Sequence, residues 1–178
     1  PFSPDNLCVA VVEGISTRYE DREKSYKKIA SCIAATASAK AGNYIVFLPS
    51  YGYMENVAKA FSEKYPKVRT IVQKKGMSYK DRDAFLDFFS DDGRLRIGFC
   101  VMGGMFSEGI DLPGNRLIGV LVVGVGLPGL SNERNIIRDY YEQKCGLGYD
   151  YAYTYPGMNS VLQAVGRLIR RDTDRGIA

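Results

Sequence analysis

A chain of 178 residues, 46% hydrophobic and 25% charged, suits one soluble globular domain with a sizeable core, and no run of about 18 apolar residues offers a membrane span. The absence of histidine excludes Ser-His-Asp and Cys-His catalysis within the chain. It also argues against a zinc site, since Cys8, Cys32, Cys100 and Cys145 form no CxxC pair, and the net charge of +4 permits a nucleic-acid partner without requiring one. "LCVAVVEG" (7–14) reads as a strand, and "REKSYKKIASCIAATASA" (22–39) as an amphipathic helix. "NYIVFLPS" (43–50) is a strand ending at Pro49. A helix over 53–65 follows, with Ser50 as a possible cap. Residues 68–73 form a strand, and 78–91 a helix opened by a Ser78–Asp81 capping box. Residues 95–102 and 117–124 are strands, 131–146 is a helix, and a last helix contains 161–171.

Near-continuous apolar strands alternating with helices indicate an α/β domain, with a mostly parallel sheet covered on both faces. Ligands on such sheets bind at the carboxyl ends of strands, so the loops there are the candidates for function. No secretory signal precedes the first strand, and a cytoplasmic setting is expected. The four cysteines sit among apolar residues and are expected to be reduced, buried and inert. Both ends look cut, so residues 1–178 read as an excised domain of a longer protein.

Three loops stand out. After the strand at 95–102 comes "GGMFSEGIDLPGN", with four glycines across residues 103–114 and Ser107, Glu108 and Asp111 among them. Glycines there let backbone amides turn towards a phosphate. A surface turn explains "LPGN" but gives no reason for two carboxylates in "FSEGID". "PSYGYMEN" offers Ser50, Tyr51 and Tyr53 at a helix start, components of a single-strand contact, although on this motif alone a plain cap with two surface tyrosines is the favoured reading. "VQKKGMSYKDR" supplies Lys74, Lys75, Lys80 and Arg82, either a solvated run or an extension of a backbone-binding track. "GVGLPG" (124–129) matches G-x-G-x-x-G, but Pro128 and "GLSN" separate it from the next helix, so a dinucleotide fingerprint is rejected.

The last segment, "QAVGRLIRR" (163–171), projects Gln163, Arg167 and Arg170 onto one helical face together with Gly166. Val161, Leu162, Val165, Leu168 and Ile169 project onto the other. On pattern alone, a solvated basic face accounts for the arginines.

Taken together, "GGMFSEGIDLPG" and "QAVGRLIRR" resemble motifs V and VI of superfamily-two helicases. "FSEGID" and "QAVGRLIR" are phrased like the XPD/DinG branch, the iron–sulfur DNA helicases. "YIVFLPSYGYMENV" resembles that branch's motif IV region and "ISTRYEDREKSY" its lead-in. "SEGIDLPG" and "VGLPG" are closest in wording to the bacterial DinG-like members. The resemblance implies a second RecA-like motor domain of a three-layer αβα type. It implies that Arg167 and Arg170 act as arginine fingers on the γ-phosphate of ATP, with Gln163 at the same interface. Glu108, Gly109 and Asp111 would line the nucleotide side of motif V, and Ser50, Tyr51 and Ser107 would face single-stranded DNA. ATP and Mg²⁺ would be held mainly by a first RecA-like domain of the same parent. This chain has no P-loop, no Asp-Glu box and no four-cysteine cluster, so the resemblance allows an iron–sulfur cluster in the parent but not here. The parent is then expected to be an ATP-dependent DNA helicase of the repair type, moving 5′ to 3′, and the chain alone to be inactive. The competing expectation is a RecA-like scaffold with idle motor residues.

Overall fold

Strands fully buried on both faces read as near-continuous apolar runs, and two runs of this chain meet that condition behind one leading polar residue each, Asn43 and Arg96. Asn43–Leu48 (β2) and Arg96–Val101 (β4) are buried at every position and pair in parallel along six residues. The computed structural model describes residues 3–108 and 110–178, the side chains of Ser107 and Glu108 excepted. Among these, Leu7–Cys8 (β1), Arg69–Val72 (β3), Gly119–Val122 (β5) and Gly176–Ile177 (β6) complete one parallel sheet of order β1-β6-β5-β2-β4-β3.

Alternation along the strands feeds two cores. Tyr44, Val46 and Leu48 with Ile97, Phe99 and Val101 face Arg22–Ala39 (α1) and Tyr51–Lys64 (α2), which contribute Ile29, Ile33, Met54, Val57 and Phe61. Ile45, Phe47 and Cys100 face the other side. There Tyr79–Asp87 (α3) brings Phe85, Met105–Glu108 (α4) brings Phe106, and Tyr155–Val165 (α6) brings Ala164. Gly98 makes room on this side: a Cβ there would lie 2.5 Å from Cζ of the buried Phe89. Asn132–Cys145 (α5) carries no fully buried residue.

The caps expected at Ser50 and Ser78 are present, and Ser131 adds a third. Ser50 Oγ accepts from Tyr53 N–H, and Ser131 Oγ from Arg134 N–H. Ser78 and Asp81 form a reciprocal capping box, whose Ser78 hydroxyl and N–H hold the Asp81 carboxyl below its usual range. Gly146 closes α5 in the left-handed conformation at φ 70°.

Three expectations are corrected. The strand at 7–14 pairs with β6 at Leu7–Cys8, with a further hydrogen bond from Ala10 N–H to the Ala178 carbonyl. Val9, Val11 and Val12 are exposed. Only Cys100 among the cysteines is buried, where desolvation raises its thiol pKa. Cys32 is half-buried, and Cys8 and Cys145 are exposed. The last helix ends at Val165 and is preceded by a π-helical turn, Asp150–Thr154. The turn has a local cause. Pro156 has no N–H to give the Ala152 carbonyl, and Arg134 Nη1 takes that carbonyl at 3.2 Å instead. No helix among the described residues is long and apolar enough to cross a membrane.

An arginine cleft beside the motif V loop

The chain after β4 turns through Gly103 at φ 68°, forms α4, and returns along the flank of the sheet. Its far end lies near the amino ends of the strands. There Arg116 donates to the carbonyls of Leu86 and Phe89, and Asn43 Nδ2 to the carbonyl of Asn115. Between these points Ile110 and Leu112 are buried while Asp111 is exposed, so an in–out–in alternation presents its carboxylate to solvent. Gly109 and the side chains of Ser107 and Glu108 lie outside the described residues.

Opposite this loop the arginine segment leaves its helix. Gly166 N–H caps back to the Leu162 carbonyl at 2.8 Å, and Arg167 N–H and Leu168 N–H close tight turns onto Ala164 and Val165. A continued helix would direct the N–H groups of Arg170 and Arg171 to the carbonyls of residues 166 and 167. Both go instead to Asp174 Oδ2, at 2.9 Å each, while Asp174 Oδ1 accepts Gly114 N–H at 3.2 Å. Asp174 is 5% exposed. The single helical face of Gln163, Arg167 and Arg170 is therefore replaced by a helix end and a pinned turn. Leu162, expected inside, is exposed, and Leu168 packs against Gly176.

The pinned turn brings the arginines to the motif V loop. Arg170 Nη2 donates to the Ile110 carbonyl at 3.1 Å, and its Nε is buried without a hydrogen-bond partner among the described residues. Arg167 Nε reaches the Gln163 carbonyl at 3.3 Å. An open cleft of about 490 Å³ results, lined by Ile110, Asp111, Pro113, Arg167, Arg170 and Arg171. Three guanidiniums against one exposed carboxylate make it a receptor for anions. Asp111, Arg167 and Arg170 thus come together, while the exposed Gln163 side chain stays outside the cleft lining.

Ser50 and Tyr51 lie elsewhere, at the carboxyl end of β2. Gln73 Nε2 donates to the Tyr51 hydroxyl at 3.1 Å, and the side-chain Oε1 of Gln73 accepts Val101 N–H at 2.9 Å. This buried glutamine ties the Tyr51 loop to the end of β4, where the motif V loop begins. Sequence reasoning missed Gln73, Arg171 and Asp174. Available signals were a polar residue closing the apolar run "TIV" and an acid four residues past Arg170, beyond a helix-ending glycine. The rejected "GVGLPG" opens no helix. Gly124 (φ 68°) packs against Thr17 and Gly126 against Met102.

A parallel sheet covered by helices, flanked by a glycine-rich loop and an arginine turn around a cationic cleft, defines a RecA-like α/β domain. The chain belongs to the helicase C-terminal domain family, whose model matches residues 33–178, and it is similar over most of its length to XPD-type helicases. It is 25% identical to a probable ATP-dependent helicase of Methanocaldococcus jannaschii over 95% of this chain and 27% of that protein. It is 29% identical to the ATP-dependent DNA helicase CHL1 of Kluyveromyces lactis, over 95% of this chain and 23% of that protein. The fold matches a solved structure of apo XPD with a TM-score of 0.73 at 22% identity, covering 99% of this chain and 35% of that one. The chain therefore spans about a quarter of the length of these curated relatives. They are archaeal and eukaryotic. The narrower DinG-like likeness rests on the wording of "SEGIDLPG" and "VGLPG" alone.

Proposed function

We propose that this chain is the second motor domain of an ATP-dependent DNA helicase, and that it completes an ATP site begun by a first RecA-like domain of the same parent. The observation that carries this reading is the cleft in which Arg167, Arg170 and Arg171 surround Asp111. Phosphoryl transfer depends on positioning and on neutralising charge over the transferred group. Arginine fingers contribute roughly 10³–10⁵ in rate to it. Planar, permanently charged guanidiniums anchored at a pinned turn suit that task. Arg167 and Arg170 are the fingers, and Gln163 reaches the same interface. Asp111, with Glu108 and Gly109, borders the nucleotide.

One carboxylate among three guanidiniums is a poor donor set for a divalent cation, so Mg²⁺ belongs with ATP on the first domain. On this reading Ser50, Tyr51 and Ser107 contribute to a single-stranded DNA track, with the exposed Lys74 and Lys75 beyond Gln73 extending it. ATP hydrolysis and DNA unwinding are then activities of the whole protein.

The test is Arg167→Ala and Arg170→Ala in the full-length protein. Each should lower DNA-stimulated ATP turnover by roughly 10³-fold or more, with oligonucleotide affinity preserved. Unchanged turnover would favour an idle RecA-like scaffold.

A further inference from the structure

At the carboxyl end of the sheet, α1 and α2 begin side by side. Ser25 and Tyr53 share a buried 2.7 Å hydroxyl hydrogen bond, Asn56 Nδ2 donates to Tyr26 at 3.3 Å, and Lys64 Nζ to Ser31 at 2.9 Å. Later residues of one helix meet later residues of the other, so the two run in the same direction. Both starts lie beside Ser50, the cap of α2.

The charge at this corner is unbalanced. The first two turns of α1 carry Arg22, Lys24, Lys27 and Lys28, with Glu23 the acid of the first turn. Cations at a helix start oppose its dipole, and Glu20, Asp21 and Glu23 offset them only in part. Arg22 is the best-held of these cations. Its guanidinium carbon lies 4.8 Å from the ring centroid of Tyr53 and 5.3 Å from that of Tyr19. Tyr53 is buried and fixed by Ser25, whereas Tyr19 is 86% exposed. Among the described residues no carboxylate pairs with Arg22: Asp21 is engaged by the Ser16 hydroxyl at 2.8 Å, and Arg22 Nε is buried without a partner. Lys24, Lys27 and Lys28 face solvent.

We propose that Arg22, stacked on Tyr53 and Tyr19 and flanked by these lysines, is a binding site for a backbone phosphate of single-stranded nucleic acid, with Tyr19 offering its exposed ring to the adjoining base. Stacking leaves the guanidinium edge free for two phosphate oxygens, and the aromatic face is indifferent to base identity. This rests on the DNA reading of the Ser50–Tyr51 loop and extends it to residues which that reading does not use. A guanidinium serving only as a pin between α1 and α2 makes a different prediction: lower thermal stability with an unchanged salt response.

The test is fluorescence anisotropy of a labelled oligothymidylate with the full-length protein, titrated at several salt concentrations, alongside thermal melts. Arg22→Gln should reduce the log–log salt slope by about 0.7, one phosphate contact on a single strand. Over the decade of salt below about 1 M, that slope corresponds to roughly five-fold weaker binding at about 0.1 M. Arg22→Lys should keep the slope. Tyr19→Ala should weaken binding at constant slope. An unchanged slope for Arg22→Gln, with the unsubstituted protein binding normally, overturns this site and leaves the DNA reading standing. If the unsubstituted protein does not bind, both fall. Tyr19 is exposed, so its alanine variant keeps the fold. Should Arg22→Gln not fold, an unchanged affinity for Tyr19→Ala overturns the site.

Discussion

The carboxylate of Asp174 accepts the backbone N–H of Arg170 at 2.9 Å, and with the same oxygen that of Arg171. Its other oxygen holds Gly114, so one buried side chain fixes the arginine turn to the motif V loop. The Arg170 guanidinium reaches back to Ile110, and the two links together set the width of the cleft.

Asp174→Asn tests this geometry. The amide turns an –NH₂ group towards either the Arg170 and Arg171 donors or that of Gly114, so a donor faces a donor whichever way it lies. A displaced guanidinium of about 1 Å costs on the order of 10²-fold in rate. In the full-length protein the variant should lose most of its turnover while KM for ATP changes little. Combined with Arg170→Ala it should lose little more than Arg170→Ala alone, because the two act through one group. Multiplicative losses in the double variant would separate Asp174 from Arg170.

Gly98→Ala probes the packing of the second core. The added Cβ meets Phe89, which is fully buried and already touches the rings of Phe85 and Phe88. Overpacking of this kind costs about 1–3 kcal/mol. A domain of this size shifts by about 2–4 °C per kcal/mol, so Tm should fall by roughly 2–12 °C in a circular dichroism melt. A Tm equal to that of the unsubstituted chain would mean that the Phe89 ring moves aside freely.

The strands were readable because burial on both faces leaves an unbroken apolar run, as at 44–48 and 97–101. Helix starts were readable because a cap is a local hydrogen bond, and Ser50, Ser78 and Ser131 each sit within three residues of the N–H they hold. The end of α6 was not. Residues 161–171 keep a helical apolar period across Gly166, and a lone glycine costs a helix only about 1 kcal/mol. What ends it is Asp174, a tertiary acceptor whose third donor, Gly114, lies sixty residues away in sequence. Leu162 was misread for a related reason: periodicity identifies a stripe but not which neighbour covers it, and the buried residue of that turn is Ala164. The motifs pointed to Asp111, Arg167 and Arg170 as a group. Gln73 was invisible because its role is to join two loops that are distant in sequence.

Gln73→Leu should therefore destabilise the chain although it adds apolar surface. The Val101 N–H would be left buried without its acceptor, at a cost of about 1–3 kcal/mol. Tyr51→Phe removes only the half-buried end of the bridge and should cost less. Chemical denaturation of both variants and of the double variant measures the coupling. Equal costs for the two single variants would mean that the Tyr51 contact, rather than the Val101 contact, dominates.

Asp92 and Arg96 give the chain an acid-sensitive joint far from the cleft. Arg96 is buried at the start of β4, and its Nη1 and Nη2 meet the two Asp92 carboxylate oxygens at 2.5 and 2.6 Å. The Arg96 hydrogen bonds, then the Arg94 N–H, hold the Asp92 carboxyl well below the usual carboxylate range. A carboxyl whose folded pKa is depressed binds its proton more readily when unfolded. Its contribution to stability is therefore complete above about pH 4, the ordinary aspartate value, and is lost as pH falls below it towards the folded value. Asp92→Asn should lower Tm at pH 7 by leaving the buried guanidinium without its anion. Between about pH 4 and pH 2 the gap to the unsubstituted chain should narrow, because there the unfolded chain's Asp92 takes up a proton while the folded pair stays ionised. Thermal melts across that range decide the matter. A gap that stayed constant with pH would show that Arg96 is held by the Ser90 carbonyl and by packing, and that the ion pair contributes nothing of its own.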